Sequence, residues 1–253
     1  MIYNMDVTLY KTTIAAHPSI TSPSFHWLRT VQWEHETFRI FDYFLNKDNT
    51  LIDIGGWIGM MAIYGGLLCN KVYSIEPDVE AIDDFKKNLE INNLTNCEIC
   101  EKPIYNTLTK LYFGPNANNN SQILNDSTSQ VKVHKVNDKD YEVDTITFDN
   151  FMAEYNIEVD KIGLIKIDIE GGEEFIIQDV FSYFTGDNKP PIYLSFHYCW
   201  WKTQNLENFI DLFSKYKFMY AEEKVITLNQ IVDTVNRSNF VSILFSDVEY
   251  SIK

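Results

Sequence analysis

Short apolar runs alternate with helix-length stretches along most of this chain, and that alternation leaves few architectures open. Residues 50–54 form an apolar run that enters a glycine-rich corner and then a helical stretch reaching residue 69. The unit repeats at once, with a strand at 71–75, a helix at 79–91 and a strand at 96–100. Helix 148–155, strand 162–167, helix 173–184, strand 192–196 and helix 206–216 continue the rhythm, and 217–220 with 241–245 read as a terminal strand pair. Strands this apolar, separated by helices, predict a mostly parallel sheet covered on both faces, an α/β, Rossmann-like fold with its ligand site at the C-terminal strand ends. Runs 109–113 and 141–146 read as extra strands around a polar, Asn- and Ser-rich loop from 115 to 130, the kind of segment that serves as a lid or binding loop.

Ahead of the first strand, Phe38, Phe41, Phe44 and Leu45 recur at helical spacing, so 34–45 reads as an amphipathic helix laid on the sheet. Residues 1–34 show no clean period and read as an N-terminal arm, carrying His26, Trp27 and Trp33, that packs on a single domain at 35–253. A chain of 253 residues is long enough to bury an α/β core without disulfide staples. Cys97 and Cys100 make one CxxC, but strand alternation sends the two thiols to opposite faces. No apolar run approaches the ~20 residues of a bilayer span and no signal-like start is present, so the chain reads as soluble and cytoplasmic with no membrane partner. A net charge of −15 opposes binding to a polyanion, and nucleic acid is therefore not expected as a partner. Oligomeric state has no code here.

The first strand runs into Asp53, Gly55, Gly56, Trp57 and Gly59. Glycines at such a turn permit positive φ and close approach to the backbone. About twenty residues on, at the end of the next strand, stands Glu76 followed by Pro77, the position where a carboxylate accepts hydrogen bonds from a ribose. A dinucleotide fingerprint needs G-x-G-x-x-G so that a pyrophosphate reaches the helix N-terminus. Here Trp57 occupies the place of the middle glycine, and Asp53 would repel a phosphate while tolerating a sulfonium and an amino group. The corner favours S-adenosylmethionine over NAD. Past the third strand, Ile104 is expected to pack on the adenine ring and Glu101 to bind its exocyclic amine.

These residues resemble the FkbM family of methyltransferases over residues 33–197. The shared pieces are Trp33 and Glu34, the LIDIGGWIG stretch at 51–59, Ile75-Glu76-Pro77 with Asn88 and Asn92, Asp144 to Asp149, and the LIKIDIEG block at 164–171 followed by Glu173. The resemblance implies a class I methyltransferase fold and S-adenosylmethionine-dependent O-methyl transfer to a sugar or natural-product hydroxyl, hence a small-molecule or carbohydrate acceptor. Two positions depart from the family pattern: Trp57 replaces a small polar residue, and Gly172 stands where alanine is common.

Methyl transfer requires an acceptor oxygen aligned with the methyl–sulfur bond and a group to take its proton. Asp168 ends a buried strand on the same rim as Asp53 and Glu76, Glu170 follows before the next helix, and His197 closes the neighbouring strand. An imidazole titrating near neutrality suits a general base. Carboxylates with one imidazole also suit a divalent cation, which would acidify the acceptor hydroxyl. Lys166, on the face of Asp168, is expected to pair with a carboxylate or touch the acceptor. Asp149 is expected as a helix N-cap, Asn88 and Asn92 as turn and cap residues, and Tyr198, Trp200 and Trp201 as an aromatic cluster on the rim. Two other readings remain at this point: an NAD-linked oxidoreductase, and a cofactor-binding scaffold without catalysis.

Overall fold

The computed structural model describes residues 5–17, 33–115, 128–187, 189–238 and 240–251. In the stretch without a clear sequence period, β1 (Met5–Leu9) pairs antiparallel with β2 (Thr12–Ala16). Val7, Leu9, Ile14 and Ala16 alternate along this hairpin and are buried; the period of two was present, masked by intervening threonines. Two asparagines hold the hairpin to the domain. Asn88, fully buried, accepts from His17 N–H at 2.7 Å and donates to Ile58 O at 2.9 Å. Asn92 caps its helix and also exchanges hydrogen bonds with the Ala15 N–H and C=O at 3.0 and 2.6 Å. His26 and Trp27 lie outside the described residues.

Helix α1 (His35–Phe44) buries Phe38, Ile40 and Phe41. After a turn in which Asn46 Oδ1 accepts from Asp48 N–H at 2.9 Å, a bond natural to Asn, comes β3 (Thr50–Ile54), buried at every residue. Then follow α2 (Met60–Leu68), β4 (Lys71–Ile75), α3 (Val79–Ile91) and β5 (Cys97–Cys100). Helix α2 is apolar all round and buried from Met60 to Gly66, packed against β3, β4, α1 and α3, with only its last two residues reaching solvent.

A small antiparallel sheet, in the order β7-β6-β8, follows: β6 (Lys110–Gly114), β7 (Gln130–Lys132) and β8 (Tyr141–Asp144). Strand β7 lies where the sequence reads as the end of a polar loop. In α4 (Phe148–Glu154) the N-cap is Thr147, which accepts from Asn150 N–H at 3.3 Å, while Asp149 sits in the first turn; the capping assignment belongs to Thr147. β9 (Ile162–Ile167), α5 (Glu173–Tyr183) and β10 (Ile192–Phe196) run as expected. The stretch read as one helix at 206–216 is a 3-10 turn, Leu206–Phe209, and a single-turn α6 (Ile210–Phe213). The end comprises β11 (Phe218–Ala221), β12 (Lys224–Val225), α7 (Leu228–Arg237) and β13 (Val241–Ser246). Helix α7 starts at a Thr227–Gln230 capping box and buries only Ile231 and Val235, one turn apart.

The main sheet has the order β12-β11-β13-β10-β9-β3-β4-β5. Its central strands are parallel, and β13 is antiparallel to both neighbours. From β3 the chain winds outward through β4 to β5, then returns to β9 and winds the other way, so the crevice falls between β3 and β9. Ile54 is level with Ile75 on one side and Ile167 on the other. Gly55, Glu76 and Asp168 therefore leave the sheet at one rim. Strand alternation sends Ile52, Ile54, Ile165 and Ile167 into one apolar cluster, and Leu51 and Leu164 into the other with α1 and α2. No helix among the described residues is long and apolar enough to cross a membrane.

Candidate active site

Over the C-terminal ends of β3, β4 and β9 lies a cleft enclosing about 700 Å³, its open mouth included. Glu76 forms its floor. One carboxylate oxygen accepts from Trp57 N–H and the other from Asp78 N–H, both at 2.7 Å. Burial pushes this carboxyl up to about 8, against the pull of those two N–H groups. Each oxygen keeps a further lone pair for a ligand hydroxyl. Pro77 lines the same wall and its carbonyl accepts from Tyr141 O–H at 2.9 Å.

The glycine corner is shaped by protein contacts first. Gly55 has φ +96, and a Cβ there would sit 1.9 Å from the Asp168 carbonyl oxygen, since Asp168 N–H donates to Ile54 O at 2.9 Å and brings the two strand ends together. At Gly59, φ +89, a Cβ would meet the Phe85 ring at 2.2 Å. Gly55 and Trp57 line the cleft, whereas Gly56 and Gly59 lie behind it. The Trp57 indole, 6.5 Å from that of Trp33, forms part of the wall.

Ile104 lines the opposite wall, bridged in strand fashion to Ile146. Glu101 does not face the cleft: it is exposed and pairs with Lys86 at 2.6 Å, so its expected contact with an adenine amine is not met. The wall is completed by Tyr105 and Phe175, whose rings are 5.1 Å apart, and by Phe113 and Val131 of the small sheet. Sequence reading missed these four, because they come from segments distant in the chain that converge only through the sheet's topology.

Asp53 is fully buried and stands behind the rim rather than in the cleft. Ser74 O–H donates to it at 3.2 Å, and Lys166 Nζ lies 3.8 Å away. Burial lifts its carboxyl to about 6, with Lys166 opposing. Lys166, 2% exposed, donates to Asp168 Oδ2 at 3.1 Å. It thus ties Asp53 to Asp168 and does not line the cleft.

Asp168 and Glu170 line the cleft, and His197 stands beside them. His197 Nε2 is 3.6 Å from Asp168 Oδ1 and 3.3 Å from Glu170 Oε2. Its Nδ1 is 2.7 Å from Glu173 Oε1. Glu173, fully buried at the start of α5, also accepts from Ile169 and Gly171 N–H at 3.2 Å and from Trp201 Nε1–H at 3.1 Å. Glu173 is therefore the group that orients the imidazole. Burial would lower the His197 pKa, but the Glu173 hydrogen bond and charge, then Asp168 and Glu170, raise it to about 10. The expectation of a histidine titrating near neutrality is corrected: with three carboxylates around it, the imidazole holds its proton. Burial alone would raise Asp168, yet Lys166 and then His197 hold it below the usual range, so Asp168 is the ionised group. Burial pushes Glu170 up.

Glu34, carried in the sequence motif without an assigned role, is a further neighbour. It precedes α1, accepts from Thr37 O–H at 2.5 Å, and is raised by burial and then by the charge of Asp168. Glu34, Trp57 and Glu170 all hold left-handed backbone, φ 53, 45 and 56. They are three of nine described non-glycine residues with such φ, so left-handed backbone is not confined to the cleft.

Of the rim aromatics, Trp201 is buried on Glu173, while Trp200 stacks on His197 at 5.4 Å with rings 6° from parallel. Phe240, 52% exposed, packs edge-on at 5.1 Å from Trp200. A hollow of about 250 Å³ between Gln130, Trp200 and Lys202 shares Glu170, Gly172 and Phe175 with the main cleft.

A strand order that reverses at the crevice, an antiparallel strand, β13, inserted between β10 and β11 near the far edge, and a carboxylate at the end of the second crevice strand define a Rossmann-like class I methyltransferase fold. The sequence profile of the methyltransferase FkbM domain matches residues 58–213, and the chain belongs to that family. Membership supports methyl transfer with S-adenosylmethionine as donor and displaces the reading as an NAD-linked oxidoreductase. The chain is 35% identical over 81 residues, 32% of its length, to an uncharacterized RNA methyltransferase of Oceanobacillus iheyensis. It is 36% identical over 69 residues, 27% of its length, to a probable cobalt-precorrin-6B C(15)-methyltransferase of Methanocaldococcus jannaschii. The matches span 18% and 38% of those two proteins. A solved FkbM methyltransferase of Methylobacillus flagellatus superposes with a TM-score of 0.46 at 15% identity, covering 78% of this chain and 43% of that one. The match to a protein named for RNA methylation overturns the exclusion of nucleic acid drawn from net charge. A total of −15 sums the whole surface, whereas an acceptor meets only the local field.

Proposed function

We propose that the protein transfers the methyl group of S-adenosylmethionine to a hydroxyl oxygen of a small or carbohydrate-like acceptor. One observation carries the reading: a carboxylate with free lone pairs at the ribose position, Glu76, shares a cleft with the ionised Asp168. Apolar walls from Ile104, Tyr105 and Phe175 suit an adenine ring, leaving the sulfonium to lie toward Asp168 and Glu170. In the reaction a lone pair of the acceptor oxygen forms the O–CH3 bond as the CH3–S bond breaks, and that bond's electron pair stays on sulfur. The hydroxyl proton passes to Asp168, the base that Lys166 and His197 keep ionised before the acceptor enters. Trp200 and Phe240 offer aromatic faces on which a sugar ring packs.

The test is transfer of isotope-labelled methyl from S-adenosylmethionine to a panel of glycans, glycosylated small molecules and RNA, read by mass spectrometry with fragmentation. Label on a hydroxyl oxygen of a glycan or small molecule supports the reading. Label on carbon, on nitrogen or on RNA refutes it, as does cofactor binding without transfer to any member of the panel.

A further inference from the structure

We infer that Asp168, Glu170 and His197 form a binding site for a divalent cation at the acceptor end of the cleft. Each offers one ligand atom, and the three lie within 4.8 Å of one another. The separations from His197 Nε2, 3.6 Å to Asp168 Oδ1 and 3.3 Å to Glu170 Oε2, approximate the spacing of neighbouring donors around one ion. Donors bound at ~2.1 Å stand ~3.0–3.4 Å apart in octahedral or tetrahedral shells.

The imidazole supplies an independent observation. His197 is 8% exposed, and its Nδ1 is engaged by Glu173 at 2.7 Å. That bond places the Nδ1 proton toward Glu173 and aims Nε2 into the gap between two carboxylates, where among the described residues it makes no hydrogen bond of ordinary geometry. A buried ring nitrogen aimed between two carboxylate oxygens, with its other nitrogen already committed, is the donor arrangement that a cation completes. Metal-binding histidines show this arrangement, with a carboxylate behind the ring fixing the tautomer. The Trp200 ring stacked on the imidazole, and the Trp201 indole bonded to Glu173, hold both members in place.

Formal charge points the same way. Asp53, Asp168, Glu170 and Glu173, with Glu34 beside them, share this buried neighbourhood with one lysine among the described residues, Lys166. The sulfonium cofactor brings one further positive charge to the cleft, and a dication largely completes the balance. In the metal-free protein a proton on His197 serves the same end, and the ion displaces it. Two oxygens and one imidazole nitrogen suit Mg2+ or Mn2+ better than a thiophilic metal.

This inference rests on the methyl-transfer reading only for its chemical use. With the ion bound, an acceptor hydroxyl entering its open coordination positions is acidified and loses its proton to water, so that Asp168 acts as ligand rather than proton acceptor.

The test is a Mn2+ titration of the full chain, without acceptor, read by loss of the free-ion electron paramagnetic resonance signal. Cofactor binding is measured calorimetrically on the same samples. One Mn2+ per chain, displaced by Mg2+, is expected. His197→Gln should weaken it at least about tenfold, and Glu170→Gln likewise, should His197→Gln fail to fold; the exposed surface acid control Asp83→Asn should leave it unchanged. No signal loss, or binding that survives the site substitutions, overturns the inference; the latter would be diffuse attraction to an acidic surface. S-adenosylmethionine binding without Mn2+ binding removes the cation site and leaves the methyl-transfer reading standing, while Mn2+ binding without cofactor binding does the reverse.

Discussion

Glu76→Gln is the substitution whose consequence follows most directly from the coordinates. Both Glu76 oxygens are engaged, by Trp57 N–H and Asp78 N–H at 2.7 Å each, and the residue is 7% exposed. Glutamine keeps one acceptor oxygen and turns an NH2 toward the other N–H, so a donor faces a donor. It also removes the charged acceptor for a ribose hydroxyl. A hydrogen bond to a charged group contributes about 1.5–3 kcal/mol, so cofactor affinity should fall roughly 10- to 150-fold. Isothermal titration above pH 8, where a group raised to about 8 is ionised, reads this directly. S-adenosylhomocysteine should lose as much affinity as S-adenosylmethionine, because the two share the ribose. A dissociation constant within twofold of the wild type for both ligands would refute the placement of the ribose on Glu76.

Asp168→Asn should lower kcat roughly 100- to 10,000-fold while changing cofactor affinity far less; equal loss in both would make Asp168 a binding residue only. The ligand-free protein should lose stability as pH rises. Asp53 and Glu76, at about 6 and about 8, lie above their ordinary 3.8 and 4.5, and His197, at about 10, above 6.5. Each group's contribution is full below its unfolded value and is lost as pH climbs through its folded value. Thermal unfolding from pH 4.5 to about 10 should show a falling Tm, less steep in Glu76→Gln; a Tm that rises across this window contradicts the burial of these groups. Asn88→Ala removes two hydrogen bonds at a fully buried position and leaves Ile58 O without its partner. A loss of about 1–3 kcal/mol is expected, lowering Tm by roughly 2–4 °C for each kcal/mol, and an unchanged Tm would show that the hairpin is not held there.

The central sheet was legible because its strands are uniformly apolar: β3 is buried at all five positions and carries that signature in its own residues. What escaped were elements whose burial comes from elsewhere. The β1–β2 hairpin owes its position to Asn88 and Asn92, some seventy residues away, as the separations of 71 and 77 in those bonds record. Helix α7 is the exception, since Leu228, Ile231, Val232 and Val235 recur at helical spacing within its own residues. At the site, residues at strand ends were legible, since a strand's end fixes where its side chain emerges: Glu76, Asp168 and His197 reach one rim. Glu101 was not, because one residue past a strand end the chain can turn either way, and the nearby Lys86 captured it. Nor did the sequence reveal that Asp53 stands behind Lys166, or that Glu173 orients His197. Those depend on side chains meeting across strands and helices, and the only hint of Glu173 was its place in the motif after Gly171.

The most direct measurement is a crystal structure of the protein with S-adenosylhomocysteine. The ribose hydroxyls should lie on Glu76, the adenine between Ile104 and Phe175, and the sulfur toward Asp168 and His197. Ligand bound outside this cleft, or an empty cleft closed by the Trp57 side chain at saturating ligand, would contradict it.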